Sequence, residues 1–138
     1  VNGDSLNASR HDARERAFHL LYESEMKGES GGDVLAALPV EPDGFATELV
    51  AGFDAHRDEV DAVIGAHSYN WDVERMPALD RAVLRLATYE LLHRPDVPTG
   101  VVLSEAVGLA TSYSTEESGR FVNGVLSAIA AQVRPDSL

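Results

Sequence analysis

Cysteine is absent from this chain, which excludes disulfides, thiolate catalysis and cysteine-ligated metal. That absence fits the cytoplasm, the expected location. Basic charge is scarce: 11 lysines and arginines face 23 acids, for a formal net charge of -12. Phosphate binding draws on lysine and arginine, so unaided, non-specific binding of nucleic acid is disfavoured. A local basic patch, or a basic partner that supplies the missing charge, keeps RNA open as a ligand. Long apolar runs are missing as well. The longest uncharged run near the end, Phe121 to Val133, is too short to span a bilayer. Nothing at the start has the basic-then-apolar form of a signal peptide, so a soluble protein with no membrane role is expected. Period-two alternation is also missing, and without strands there is no strand–glycine–helix phosphate loop.

What is present is helical periodicity. At 138 residues the chain can bury a real core as a single domain. A disordered polar lead is expected over 1–8, one helical domain over 9–135 and a short tail over 136–138. Apolar residues at spacings of three and four predict about seven helices. The first spans about Arg10 to Lys27 and stops at Gly28. "GESGG" reads as a flexible link to a short helix near Asp33–Leu38, ended by Pro39. A third helix buries Phe45, Leu49, Val50 and Phe53, and a fourth Val60, Val63 and Ile64. The fifth begins at Pro77 and is apolar nearly all round, leaving a narrow polar stripe of Arg81, Arg85 and Thr88. That pattern belongs to a central helix packed on several sides. After "DVPTG" comes a sixth helix, about Val101 to Ser112, and then "STEE", a capping box with Ser114 as N-cap and Glu117 three residues on. The seventh runs to about Val133. The fold class is all-α: a compact bundle with an N-terminal three-helix half packed on a C-terminal four-helix half.

Catalytic signals are weak. "GESGG" matches the G-x-S-x-G hydrolase pattern but lacks the strand that would strain its serine. His11, His19, His56, His67 and His93 form no i,i+4 pair and no H-E-x-x-H, so a metal would need a tertiary coincidence and none is expected. Asp54, Asp58 and Asp61 lack calcium-loop spacing and read as a solvated face. No cofactor and no enzymatic activity are expected.

Two places are not accounted for by packing. On the opening helix, Arg10, His11, Arg14, Phe18 and Tyr22 share a flank beside a core stripe of Ala13, Ala17, Leu20 and Ser24. Guanidinium groups suit phosphate and rings suit unstacked bases. Equally open is a core role for Phe18 and Tyr22, with the arginines paired to Asp12 and Glu15. In "STEESGRFVNGVL", Phe121, Val122, Val125, Leu126 and Ile129 face inward while Glu116, Arg120, Asn123 and Ser127 line the other side. Asn123 and Gly124 are weak helix formers in succession. They point to close backbone approach or to hydrogen bonding near the helix start.

Three segments in this order, "ARERAFHLLYESE", "DRAVLRLATYELLHRPDVPTGVVLSEAVGLA" and "STEESGRFVNGVL", resemble the NusB family of bacterial transcription antitermination factors. The resemblance covers about Ser9 to Pro135 and agrees with an all-helical fold. It implies a non-enzymatic RNA-binding factor that pairs with NusE, a small-subunit ribosomal protein. The pair would bind boxA RNA of rRNA operon leaders and act on the RNA polymerase antitermination complex. It further implies RNA contacts at Arg10, His11, Arg14 and Tyr22, and at Tyr113, Arg120, Phe121 and Asn123. The acids matched to the NusE-facing surface are Glu74 and Asp80. Where family members often carry three consecutive basic residues, this chain has "RHD". Asp12 therefore implies weak RNA affinity without NusE. Monomer and homodimer both stay open. The competing reading is an acidic helical protein-interaction module with no RNA role. A similar helical domain precedes some rRNA cytosine methyltransferases, but no Rossmann-like segment follows here.

Overall fold

In the computed structural model, which describes residues 3–69 and 71–137, seven α-helices follow one another. They are α1 (Gly3–Lys27), α2 (Gly31–Ala36), α3 (Gly44–Ala55), α4 (Arg57–His67), α5 (Ala78–His93), α6 (Thr99–Tyr113) and α7 (Glu116–Val133). Single 3-10 turns sit at Val73–Arg75 and Pro135–Ser137. No strand occurs among the described residues, and no described helix is long and apolar enough to cross a membrane. α1 to α3 pack together as one half, and α4 to α7 as the other. The two halves meet on α5, which contacts α1, α3, α4, α6 and α7.

That central position explains the composition of α5. Every residue from Asp80 to Leu91 is buried, the predicted polar stripe included. A buried arginine needs partners, and both find them. Arg85 makes a two-pronged pair with Asp61 on α4, each bond 2.9 Å. Arg81 binds Glu25 on α1 and donates to the carbonyls of Val73, Glu74 and Met76. The stripe thus holds α1, α4 and the 3-10 turn to the central helix. Around it Phe18, Leu49, Phe53, Ile64, Leu84, Leu126 and Ile129 form one continuous core that crosses both halves. Truncating such a residue to alanine typically costs about 2–5 kcal/mol.

Helix ends follow local chemistry, and four points of the sequence reading are corrected. α1 begins at Gly3, well before Arg10, so part of the lead expected to be disordered lies within this helix. "GESGG" is pinned rather than flexible. Ser30 caps α2 by accepting from Asp33 N, and Gly31 and Gly32 donate their N–H groups to Asp54 at 3.2 and 2.7 Å. A Cβ at Gly31 would stand 2.7 Å from Val50 Cγ1, so glycine is required there. With Asp54 on α2 and Asp61 on Arg85, two of the three acids read as a solvated face are structural. The cap of α7 is Thr115, which accepts from Ser118 N, whereas Ser114 closes α6. As predicted, α1 stops at Gly28, whose φ of 66° is a left-handed helix end. The tail is also anchored. Arg134, just past α7, donates to the carbonyls of Glu90, Leu91, Arg94 and Val97. It thereby ties the C-terminal end of α5 and the loop that follows to the end of α7.

Candidate functional site

The basic flank of α1 is not a free arginine arm. Arg14 is 4% exposed. Its Nε and Nη2 lie 3.0 and 2.9 Å from the two carboxylate oxygens of Glu90 on α5. Its Nη1 reaches Glu105 on α6 at 3.3 Å. The other oxygen of Glu105 lies 2.8 Å from His11 Nδ1. That hydrogen bond, with the charge of Glu105, raises the pKa of His11. Arg10 stands 3.7 Å from Asp96, which is also gripped by Arg94 at 3.0 and 2.9 Å. The Arg94 hydrogen bonds lower the pKa of Asp96 to about 2. The guanidinium groups of Arg10, Arg14 and Arg94 gather around the ring of Phe45 at 4.7, 5.2 and 5.0 Å, a favourable cation–π arrangement. The structure therefore brings Arg10, His11 and Arg14 together as predicted, but their partners are Asp96, Glu105 and Glu90 rather than Asp12 and Glu15. Arg14 faces the core; His11, and part of Arg10, reach solvent.

Further along α1, the Tyr113 hydroxyl donates to Glu15 at 2.8 Å and lies 3.1 Å from His19 Nε2. The hydrogen bond to Glu15 raises the pKa of Tyr113. Its ring meets His19 edge-on and stays partly exposed, while Phe18 beneath it is core. Tyr22 is half-buried. Neither Asp12 nor Arg16 belongs to an ion pair among the described residues. Both are exposed, so Arg16 offers solvent a cation that the sequence reading passed over.

The start of α7 holds the other cluster. Trp71, Pro77, Asp80, Thr115, Glu117, Ser118 and Phe121 line a cleft of about 240 Å³. Trp71 is half-exposed and its ring centroid lies 5.9 Å from that of Phe121. Phe121, expected in the core, is only partly buried because this cleft opens beside it. Asp80, matched to a partner-facing acid, is buried, and its Oδ1 has no hydrogen-bond partner among the described residues. Burial raises its pKa, opposed by the Ser118 hydroxyl. An unsatisfied buried acceptor costs about 1–3 kcal/mol, so this carboxylate is primed for a donor. Glu74 is exposed on the 3-10 turn. Arg120 and Asn123 project from the solvent side of α7. At Gly124 a Cβ would meet nothing within 4 Å, so the expected close approach does not occur among the described residues.

Sequence reasoning missed Glu90, Glu105, Asp96 and Phe45, which lie far along the chain from Arg10 and Arg14. One clue was available: a glutamate inside a helix apolar on every side needs a buried counter-charge.

The chain is similar to known proteins in sequence and in fold. A model described as the NusB family matches residues 11–131. The transcription antitermination protein NusB of Clavibacter michiganensis subsp. michiganensis (strain NCPPB 382) is 47% identical over 133 residues, covering 90% of this chain and 97% of that protein. T. maritima NusB superposes with a TM-score of 0.80 at 33% identity, covering 89% of this chain and 91% of that one. A crystal structure of the antitermination factors NusB and NusE in complex with dsRNA contains a chain matching at TM-score 0.78 and 32% identity, covering 91% and 98%. Matched in sequence over most of its length and in fold around α5, this chain belongs to the NusB family.

Proposed function

We propose that this protein is a non-enzymatic transcription antitermination factor that binds boxA-type RNA together with NusE and acts on RNA polymerase at rRNA operons. The observation that carries the reading is the cleft at the start of α7, with two aromatic rings and one buried carboxylate oxygen without a partner among the described residues. It is supported by the likeness to a NusB chain bound to NusE and dsRNA. An unstacked base stacking on Trp71 or Phe121 would gain about 1–3 kcal/mol. Asp80 and Glu117 repel phosphate and accept hydrogen bonds, so the cleft suits a base amino group or a cationic partner side chain. Phosphates would fall to the exposed cations Arg16 and Arg120, with Arg10 and His11 at the far end of α1. Tyr22, Tyr113 and Asn123 would flank the RNA path, and Arg14 would contribute by holding α1 in place.

The net charge of -12 suits docking of a basic ribosomal protein, which then adds cationic surface for RNA. Glu74 is the solvent-facing acid suited to that contact; Asp80 would act from inside the cleft. The test is a mobility shift with boxA RNA, with and without NusE, across a salt series. Phe121→Ala and Trp71→Ala should each weaken RNA binding about tenfold or more, the equivalent of one stacked base. Arg120→Ala should lower the salt slope by about one unit. RNA binding that ignores all three, with NusE binding intact, would instead support a protein-interaction module.

A further inference from the structure

We propose that His56, Glu59 and His93 form a binding site for a borderline divalent cation, zinc or a neighbouring first-row metal. The five histidines carry no metal spacing along the chain, yet the fold brings two of them together. His56 lies at the junction of α3 and α4, Glu59 in the first turn of α4, and His93 in the last turn of α5. Glu59 Oε1 stands 2.6 Å from His93 Nε2 and 3.6 Å from His56 Nδ1. One donor atom from each residue falls within 4.8 Å of the others.

Two imidazole nitrogens and a carboxylate oxygen are a recognised open donor set for zinc, leaving a position for water. Donors around a tetrahedral ion stand roughly 3.3 Å apart, so the Glu59–His93 pair must open from 2.6 Å while His56 draws in from 3.6 Å. The His56 and His93 rings are stacked, with centroids 4.0 Å apart, and must fan open for both nitrogens to aim at one ion. All three side chains reach solvent, so that adjustment disturbs no core. Tyr89 packs against both rings and forms a fixed wall behind them. The acidic surface concentrates cations nearby. Nitrogen donors favour zinc, nickel or copper over magnesium or calcium, which prefer all-oxygen sites. A bound ion would tie the α3–α4 junction to the end of α5.

The experiment is calorimetric titration of the tag-free full chain with zinc chloride at pH 7.5, with magnesium chloride as comparison. One equivalent of zinc should bind saturably, magnesium should not, and zinc should raise Tm until a chelator is added. Acidification to about pH 5.5 should release the ion, because protons compete for imidazole. His56→Asn and His93→Asn should each weaken zinc binding at least tenfold, and Glu59→Gln less, while His19→Asn and His67→Asn leave it unchanged. On the unaltered chain, zinc should shift the ring NMR signals of His56 and His93 and spare those of His19 and His67. No saturable binding would overturn the proposal. So would binding unchanged in His56→Asn and His93→Asn, or ring shifts spread over all the histidines.

Discussion

Replacing Arg14 by methionine separates a phosphate ligand from a structural anchor. Arg14 and Glu90 are both nearly inaccessible, 4% and 2% exposed, and share three hydrogen bonds of 3.2, 3.0 and 2.9 Å. Removing one member strands the other as a buried charge, a loss of about 3–5 kcal/mol. At roughly 3–4 °C per kcal/mol for a domain of this size, Tm should fall by about 10–20 °C. Glu90→Leu alone should cost less, because Arg14 keeps its contact with Glu105. The double variant Arg14→Met with Glu90→Leu should recover most of the loss, since an apolar pair of like volume is often neutral or better. The assay is urea and thermal unfolding of the four proteins as a double-mutant cycle, with boxA binding measured well below each Tm. A coupling energy above about 2 kcal/mol is expected, with RNA binding at low temperature retained in the double variant. A single Arg14→Met variant of unchanged Tm that loses RNA binding would refute the anchor and return Arg14 to the RNA-contacting set.

Other perturbations test separate features. Gly52→Ala places a Cβ 2.2 Å from the Tyr89 hydroxyl and 2.3 Å from its ring carbon, so urea unfolding should show a loss of about 1–3 kcal/mol. Gly124→Ala enters open space in a helix and should stabilise by about 0.5–1 kcal/mol; a loss would mean the site is crowded. The folded pKa of His11 is raised above 6.5. Its pairing with Glu105 therefore stabilises fully below the unfolded pKa and fades as pH rises through the folded one. An NMR titration should show the His11 pKa dropping in Glu105→Gln, and no change would exclude the contact. For Asp96, lowered to about 2, the sign reverses: its contribution is present above the ordinary carboxylate range and disappears as pH falls through about 2. Arg94→Gln should return its pKa toward 3.8, read by carboxylate NMR.

What the sequence reveals here is periodic, and what it conceals is pairwise. All seven helices, their halves and the central place of α5 follow from apolar spacing and from stops such as Gly28 and Pro39. The cap of α7 was off by one because Ser114 and Thr115 are both good caps, and only the turn decides that Thr115 faces Ser118 N. The surroundings of the arginines were not legible. Arg14 and Glu90 lie 76 residues apart, and Arg14 and Glu105 lie 91 apart, so no helical spacing links them. The cleft shows the same limit. Asp80 and Phe121 belong to different helices, and the acid's burial follows from the packing of α5 against α7.

The 76-residue span of the Arg14–Glu90 bond also sets a clock for synthesis. At about 5–20 residues per second, α1, which ends at Lys27, is complete roughly 3–13 seconds before Glu90 has been made. Through that interval its arginines have no acid on α5 or α6 to neutralise them, and Phe18 has no central helix to cover it. The segment that ends as the anchor of the folded protein thus spends that interval with Arg14 still without Glu90 and Phe18 still uncovered.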